Sequence, residues 1–307
     1  MSHKVVCLVG PTACGKTELS LFLAGLIPGL ELVYADSMAV YRHLDTGTAK
    51  PTVTDRAKVP HHLVDFLDPA QRWSAFAFSK AARRVIQEIR ERGGVPLVVG
   101  GTGFYLQSFC QPLPPGSAPD ERLRLTLERF TDEKLYALLK FFDSRRAERI
   151  GRHNRMRLIR ALEIWYRTGT FPSAFARSTL RYGAPEPVVL VGVRFDRETI
   201  RTRIVQRVDR MFSEGILAET ADLLHRGYRS DIPAFQNFTY APVVRAVLGS
   251  ISVNEAREAV IRGTFAFLKR QNTWFRRIPI HWIEREGRTL QEIAEEIGKR
   301  LGRFEQI

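Results

Sequence analysis

The sequence predicts an α/β fold in which a parallel sheet, flanked by helices, is interrupted by a helical insertion. Short apolar runs alternate with amphipathic segments over residues 1–115 and 185–307, the order expected for parallel strands joined by helical crossovers. Residues 116–184 show no convincing strand pattern, and a stretch with four prolines at 111–120 leads into them. We therefore predict a core at 1–115 and 185–307 and a helical insertion at 116–184.

The elements of the first part of the core follow from apolar runs that end in turn residues. Strands are expected at residues 5–9, 31–35, 62–66 and 95–99. Helical periodicity predicts helices at 16–26 and 75–92, and the second helix stops at Gly93-Gly94, a common C-terminal signal. The carboxyl ends of these strands should meet at one edge of the sheet, where such folds bind ligands.

The second part of the core follows the insertion. The insertion itself is expected to be helical over 121–180, after an extended connector at 111–120. Strands are then predicted at 188–195 and near 280–283. Helices are expected at 197–213, 216–226, 237–249 and 253–276.

The composition is that of an ordinary globular chain. Of 307 residues, 44% are hydrophobic and 26% are charged, which excludes a disordered or collagen-like chain. The apolar runs are too short to span a bilayer, and the N-terminus lacks the apolar region of a signal peptide. Three cysteines cannot build a disulfide framework, and none has zinc-site spacing. We expect a monomeric cytoplasmic protein with no membrane association.

The net charge of +14 points to a polyanionic partner, although a genome that favours arginine would produce the same excess. The position of the arginines decides between these readings. Within residues 145–167, eight arginines face only two acidic residues, Glu148 and Glu163. The eight are Arg145, Arg146, Arg149, Arg152, Arg155, Arg157, Arg160 and Arg167. This concentration favours an arginine-rich nucleic-acid surface in the insertion, and a solvated basic face is the alternative.

A phosphate-binding loop is predicted between the first strand and the first helix. The segment Gly10-Pro11-Thr12-Ala13-Cys14-Gly15-Lys16-Thr17 has the spacing G-x-x-x-x-G-K-[ST] of a P-loop. Successive backbone N–H groups and the helix N-terminus would bind a phosphate or pyrophosphate, with Lys16 as a point charge. The hydroxyl of Thr17 would be a ligand of Mg²⁺. The expected core is therefore similar to that of P-loop NTPases.

Two further polar residues follow predicted strands. Asp36 comes after the strand at 31–35, where its carboxylate could hold a metal, act as a general base or cap the next turn. Thr102 follows Gly100-Gly101, a pair that lets backbone approach a ligand closely, although a plain strand-to-helix turn is equally compatible. Both residues are expected at the same edge as the loop.

Taken together, these motifs resemble the tRNA dimethylallyltransferases, also called tRNA isopentenyltransferases. The resemblance extends over nearly the whole chain and in family order. It rests on GPTACGKT at 10–17, ADSMAVYRHLDTGTAKP at 35–51, HHLVDFLDP at 61–69, PLVVGGTGFYL at 96–106, RMRLIRALEIWYRTG at 155–169, RIVQRVDRMFSEG at 203–215 and LKRQNTWFRR at 268–277. P-loops are widespread, but the second and last of these segments are specific to the family.

The resemblance implies transfer of a dimethylallyl group from dimethylallyl pyrophosphate to N6 of the tRNA adenosine at position 37, 3′ to the anticodon. It implies that residues 10–17 bind the pyrophosphate with Mg²⁺, and that Asp36 acts as the base. Thr102 and Arg207 match further catalytic positions, with Arg203 as the alternative to Arg207. The tRNA anticodon stem-loop would be contacted by Asp36, Ser37, Met38, Ala39 and Thr102, and by Met156, Arg157, Leu158, Ile159 and Arg160.

Three positions depart from the family pattern. Ala39 replaces a common glutamine, and residues 239–242 read Thr-Tyr-Ala-Pro instead of Gly-Tyr-Lys-Glu, so Pro242 should start or kink a helix. Cys14 replaces a common serine, and we expect the helix N-terminus and Lys16 to activate its thiol.

Other functions remain open at this point. The same core serves enzymes that prenylate free AMP, ADP or ATP, and the loop alone is compatible with a small-molecule kinase. A non-catalytic RNA-binding protein would leave Lys16, Thr17 and Asp36 without a role.

Overall fold

A computed structural model describes residues 4–110, 118–171, 173 and 188–301. Their contacts divide the chain into two compact units. The first comprises Met1–Cys110 with Ala184–Ile307, and the second Gln111–Gly183. Most of the predicted connector at 111–120 and the end of the predicted helical region lie outside the described residues.

The first unit contains a six-stranded parallel sheet, which confirms the predicted fold class. The strands are β1 Val5–Val9, β2 Leu30–Ala35, β3 His61–His62, β4 Val95–Gly100, β5 Val188–Arg194 and β6 His281–Glu284. Their order in the sheet is β3-β2-β4-β1-β5-β6, so β4 pairs with β1 and β2 on either side. Every described pair is parallel. Burial of β1 and β2 along their whole length explains why both are almost continuously apolar.

The predicted strand at 62–66 is wrong beyond His62. Leu63 and Asp65 have left-handed backbone, with φ of 61° and 56°, and a strand cannot continue through that conformation. Asp65 then accepts hydrogen bonds from Lys50 and Arg56, at 2.5 and 2.7 Å. These ion pairs fix the turn that ends β3.

Thirteen α-helices lie in the described residues. They are α1 Lys16–Leu26, α2 Val53–Lys58, α3 Ala75–Glu91, α4 Gly103–Cys110, α5 Glu121–Leu127, α6 Asp132–Phe142, α7 Ser144–Ile150, α8 Arg155–Thr168, α9 Arg197–Ser213, α10 Ile216–His225, α11 Tyr240–Val247, α12 Val253–Phe275 and α13 Leu290–Leu301. Side-chain caps set several of their first residues. The hydroxyl of Ser252 accepts the N–H of Glu255 in a capping box that begins α12.

Two buried clusters belong to the apolar core of the first unit. One contains sheet residues such as Leu8, Leu32 and Val99 together with residues of α1 and α13. The other joins the loop around Leu44 to helices α9 to α12, and Tyr240 is its largest fully buried side chain. This packing fixes the polar residues of helices α9 to α12 in position relative to the loops that follow the strands.

The second unit consists of α5 to α8 around a small core of its own. Leu135, Leu139, Leu158 and Leu162 are completely buried in it. Within the described part of the chain, no helix combines the length and the apolarity that a membrane span needs.

Candidate active site

The carboxyl edge of the sheet brings three predicted site segments together. Gly100, the last residue of β4, pairs with Val9 of β1 on one side and with Ala35 of β2 on the other. The segments that follow these three strands therefore leave the sheet at the same level. They are the phosphate loop (residues 10–17), Asp36 and Thr102.

The phosphate loop reverses direction so that backbone N–H groups remain available. Ala13 and Gly15 have left-handed backbone, with φ of 63° and 78°. Gly15 immediately precedes α1 as its N-cap, and among the residues that the structure describes no side-chain cap is found for this helix. Uncapped N–H groups at the positive end of a helix dipole are suited to bind phosphate.

Lys16 lies over its own loop. Its Nζ donates to the carbonyl oxygens of Gly10 and Pro11, at 3.0 and 2.8 Å, and lies 3.6 Å from Cys14 Sγ. These contacts direct the ammonium group towards the space that the loop encloses. Cys14 has no exposed surface. Because reactive thiols are partly exposed, this burial argues against the expected activation of Cys14.

Arg285 binds the backbone of the phosphate loop, a contact that the sequence does not predict. Its Nη1 donates to the carbonyl oxygens of Cys14 and Gly15, at 3.1 and 3.0 Å, and its Nη2 lies 3.2 Å from Glu18 Oε2. The guanidinium lies 5.2 Å from the ring centre of Phe195, and the residue is nearly buried. By holding the carbonyl groups, Arg285 fixes the direction in which the loop N–H groups point. No local sequence pattern marks an arginine that follows the last strand.

Gln271 joins the phosphate loop to the loop after β4. Its Oε1 accepts the N–H of Thr12 at 2.9 Å, and its Nε2 donates to the carbonyl of Gly101 at 2.8 Å. The side chain is almost fully buried. Its segment, residues 268–277, is part of the family resemblance, but no pattern in the sequence predicts this bridging contact.

Asp36 is held by one of its two carboxylate oxygens. Oδ1 accepts the N–H groups of Met38 and Ala39, at 2.7 and 3.1 Å, which is the turn-capping arrangement considered from the sequence. Oδ2 makes no hydrogen bond within the described residues. The carboxylate is therefore oriented, and one oxygen remains free to accept a proton or a ligand.

Two cavities meet at Asp36. The larger, about 800 Å³, is lined by the phosphate loop from Thr12 to Thr17, except Cys14, and by arginines of α9. The smaller, about 130 Å³, is lined by Ser37, Met38 and Thr102 and by aromatic and aliphatic residues of the helices. Thr12, Asp36 and Arg207 line both. A polar, basic compartment thus adjoins a smaller, more apolar one.

Three arginines of α9 line the large cavity. Arg203, Arg207 and Arg210 recur at spacings of four and three and so share one helix face. Arg203 Nε donates to the carbonyl of Ala13 at 2.8 Å. Arg207 Nη2 donates to the carbonyl of Thr48 at 3.1 Å. Burial lowers the pKa of Arg207, and the negative charge of Asp36 opposes that shift. The remaining guanidinium donors of Arg207 are available to an anion.

Tyr34 also lines the large cavity, beside the phosphate loop. Its hydroxyl is buried, makes no hydrogen bond of good geometry within the described residues, and lies beside the hydroxyl groups of Thr17 and Ser20. Burial raises the pKa of Tyr34 to about 12. The hydroxyl therefore stays protonated near neutral pH.

In the second unit, the predicted tRNA-binding segment divides into exposed and buried residues. Met156 is 63% exposed and Arg157 is exposed as well. Leu158 and Ile159 belong to the core of the unit, so their side chains face away from solvent. Their role is to hold the helix, and a surface contact from this segment would come from Met156 and Arg157.

Arg160, the last residue of that segment, forms an ion pair with Glu163 at 2.6 Å. Glu163 is fully buried and also accepts from Arg124 at 3.0 Å and from the backbone N–H of Asp120 at 2.6 Å. These hydrogen bonds outweigh the desolvation that would raise the pKa of Glu163, so its pKa lies below the ordinary value. The carboxylate fixes the position of two arginines at the surface of α5 and α8.

Residues 239–242 begin a helix, as Pro242 predicted. The helix α11 starts at Tyr240, two residues before Pro242. Tyr240 is fully buried. Proline is tolerated there because N–H groups of the first helical turn have no partner within the helix.

Comparison with known proteins gives a consistent result. A model of the IPP transferase family matches residues 39–278. A tRNA dimethylallyltransferase of Carboxydothermus hydrogenoformans is 39% identical over 304 residues, which is 97% of each chain. Another of that name, from Geobacter sulfurreducens, is 40% identical over 286 residues and 92% of each chain.

Solved structures share the fold. A tRNA delta(2)-isopentenylpyrophosphate transferase from Staphylococcus epidermidis superimposes with a TM-score of 0.72 at 33% identity, covering 97% of this chain and 99% of that one. A eukaryotic dimethylallyltransferase acting on tRNA gives a TM-score of 0.79 at 24% identity, covering 98% of this chain and 80% of the other.

Proposed function

The chain belongs to the IPP transferase family, and we propose that it transfers a dimethylallyl group from dimethylallyl pyrophosphate to N6 of a tRNA adenosine, releasing pyrophosphate. The observation that carries this proposal is the position of Asp36 and Arg207, which line both cavities. A donor whose pyrophosphate occupies the basic cavity would place its reactive carbon at that junction. An acceptor base approaching Asp36 would meet it there.

The phosphate loop is suited to the leaving group. Charge develops on the departing pyrophosphate as the bond between carbon and oxygen breaks, and oriented N–H groups and cations stabilise that charge. Lys16 and the first N–H groups of α1 supply such donors on one side, and the α9 arginines line the same cavity. Arg203 already donates through Nε to the loop, whereas Arg207 lies at the junction of the cavities. Arg207 is therefore the better candidate to stabilise the charge that develops on the pyrophosphate oxygen as the bond to carbon breaks.

Asp36 is suited to act as the base. The exocyclic amine of adenine is a weak nucleophile, and a carboxylate beside it accepts the proton that the amine loses. Oδ1 is held by two backbone N–H groups, which leaves Oδ2 to accept that proton. Thr102, which also lines the small cavity, would orient the adenine through its hydroxyl.

Mg²⁺ fits the same cavity. The hydroxyl of Thr17 is a hard oxygen donor that lines it. We infer that Thr17 would hold Mg²⁺, which would neutralise charge on the pyrophosphate.

We further propose that the acceptor is the adenosine at position 37 in the anticodon stem-loop. A base in that loop is stacked and has to be turned out before its amine is reachable. Ser37, Met38 and Ala39 lie next to Asp36 and would contact the turned-out nucleotide. The basic surface of the second unit, with Arg157 exposed on α8, would bind the RNA backbone. We expect the protein to act on tRNA in the cytoplasm as a monomer.

A transfer assay with two acceptors tests this function. The protein would be incubated with labelled dimethylallyl pyrophosphate, Mg²⁺ and either unmodified tRNA or AMP, at several salt concentrations. We expect label in tRNA, and we expect transfer to fall steeply with salt because phosphate contacts release counterions. Label in AMP alone would instead assign the enzyme to free nucleotides. Label in neither, together with consumption of ATP in a parallel incubation that contains ATP, would assign a kinase.

A further inference from the structure

The loop at residues 45–48 crosses the edge of the site. Lys50 pairs with the side chain of Asp45 at 2.5 Å, and one carboxylate binds backbone N–H groups of the loop. Glu219, in the first turn of α10, accepts the backbone N–H groups of Asp45 and Thr46 through Oε2, both at 2.7 Å. Its Oε1 lies 3.5 Å from the N–H of Gly47. Three successive N–H groups thus point at one anion, and bonds to an ionised acceptor are stronger than neutral ones.

Tyr240 completes this arrangement from the core. Its hydroxyl donates to Glu219 Oε1 at 2.6 Å and accepts the N–H of Gly47 at 3.1 Å. Burial, with the neighbouring carboxylate, raises the pKa of Tyr240 well above its ordinary value, so the hydroxyl keeps its proton and can donate. The fit is close: a Cβ on Gly47 would lie 2.5 Å from the Tyr240 ring and 2.8 Å from Ile216. The loop can therefore lie against Tyr240 only with glycine at this position.

The last residue of this loop, Thr48, contacts Arg207, the arginine at the junction of the two cavities. The carbonyl of Thr48 accepts from Arg207 Nη2 at 3.1 Å, and this is the one hydrogen bond that Arg207 makes within the described chain. Thr48 also lines both cavities. The position of the guanidinium therefore depends on where the carbonyl of Thr48 lies. That carbonyl follows directly after the three N–H groups that Glu219 holds.

We propose that Glu219 and Tyr240 are positioning residues, which place Arg207 against the pyrophosphate by fixing the loop at residues 45–48. This inference rests on the proposed function, because it requires Arg207 to act on the departing pyrophosphate. Neither Glu219 nor Tyr240 lines either cavity. Their effect on the reaction would pass through the loop and Arg207.

The test is a double-mutant cycle on the rate of transfer. Tyr240→Phe removes the hydroxyl and leaves the ring, and Glu219→Gln removes the charge and keeps one oxygen acceptor. Each is combined with Arg207→Ala, and single-turnover transfer to tRNA is measured together with the tRNA KM and the Tm. Tyr228→Phe is the matched control, since it removes a 2.9 Å hydrogen bond to Asp68 in the same unit without touching the loop.

We call Tyr240→Phe and Glu219→Gln the clamp variants. We expect either of them alone to slow transfer roughly 5- to 50-fold, the range for losing one or two hydrogen bonds. The tRNA KM should stay the same, and Tyr228→Phe should transfer at the wild-type rate. In the Arg207→Ala background the clamp variants should have little further effect, because residues that act through one group are not additive.

Full additivity of the two losses, or wild-type rates in both clamp variants, would overturn the proposal. A wild-type rate in Arg207→Ala would overturn it as well. The proposed function is tested separately by transfer in the wild-type protein. Active wild-type protein with an additive cycle would therefore reject the positioning role and leave the reaction in place.

Discussion

Glu163 connects the stability of the second unit with the RNA binding that we propose for it. Its buried carboxylate accepts from Arg124, Arg160 and the N–H of Asp120, and it has no exposed surface. Glu163→Gln keeps an acceptor for the backbone N–H and removes the charge that both arginines share. The variant thus removes the negative charge that faces two cations at the surface of α5 and α8.

The expected loss of stability in Glu163→Gln depends on how exposed the two arginine side chains are. A hydrogen bond to a charged group contributes about 1.5–3 kcal/mol, and breaking a fully buried ion pair costs about 3–5 kcal/mol. The side chains of Arg124 and Arg160 are 21% and 31% exposed, so water recovers part of that loss. We therefore expect a net loss of about 2 kcal/mol in local stability. This corresponds to roughly 30-fold faster amide exchange in α8 when exchange proceeds by opening of the unit.

Hydrogen exchange measured by mass spectrometry on the full-length chain tests this expectation. Glu148→Gln is the matched control, because it removes the same charge from an exposed position of the same unit. The control should exchange like the wild type. Since Arg160 loses one of the contacts that orient it, the tRNA KM of Glu163→Gln should rise while the affinity for dimethylallyl pyrophosphate stays the same. Equal exchange of α8 in Glu163→Gln and Glu148→Gln would refute the reasoning.

Three further predictions concern other parts of the molecule. Lys16→Ala should weaken pyrophosphate binding at least tenfold, because an ion pair of about 1.4 kcal/mol or more is lost, and should leave tRNA affinity unchanged. Calorimetry measures both affinities, and an unchanged pyrophosphate affinity would contradict the role of the loop. Arg157→Ala should lower tRNA affinity. It should also reduce the slope of the logarithm of the tRNA association constant against the logarithm of the salt concentration by about 0.7–0.9, the value of one phosphate contact. An unchanged slope would mean that Arg157 does not touch phosphate. Tyr34→Phe should leave the free energy of unfolding in urea within about 1 kcal/mol of the wild type, because the buried hydroxyl that it removes makes no hydrogen bond of good geometry. A clear loss of stability would show that Thr17 or Ser20 binds this hydroxyl in the folded protein.

The sheet was predictable from the sequence because its central strands are buried on both faces. Strands β1 and β4 form short apolar runs that end in glycine, and their bounds agree with the prediction within one residue. The strand expected at 62–66 failed because left-handed residues turn the chain at Leu63, and nothing local in the sequence marks that conformation. Helix α13 was missed although Ile293 and Ile297 recur at helical spacing.

The site was predictable to the extent that it follows the strands. Residues at the carboxyl ends of parallel strands meet at one edge whatever the loops do, which is why the phosphate loop, Asp36 and Thr102 come together. Arg285, Gln271 and Glu219 could not be found in the same way. Each contacts the site edge from a position more than 150 residues away in sequence, and such contacts depend on how helices pack on the sheet.

The central claim is that Asp36 removes the proton from the adenosine amine at the junction of the two cavities. Asp36→Asn keeps the oxygen that accepts the N–H groups of Met38 and Ala39 and removes the basic carboxylate. Single-turnover transfer from dimethylallyl pyrophosphate to tRNA should then fall by a factor of about 10²–10⁴, the contribution of a positioned general base. Equilibrium binding of tRNA and of pyrophosphate, measured on the same preparation, should stay within about twofold of the wild type. Transfer at the wild-type rate by Asp36→Asn would contradict the claim.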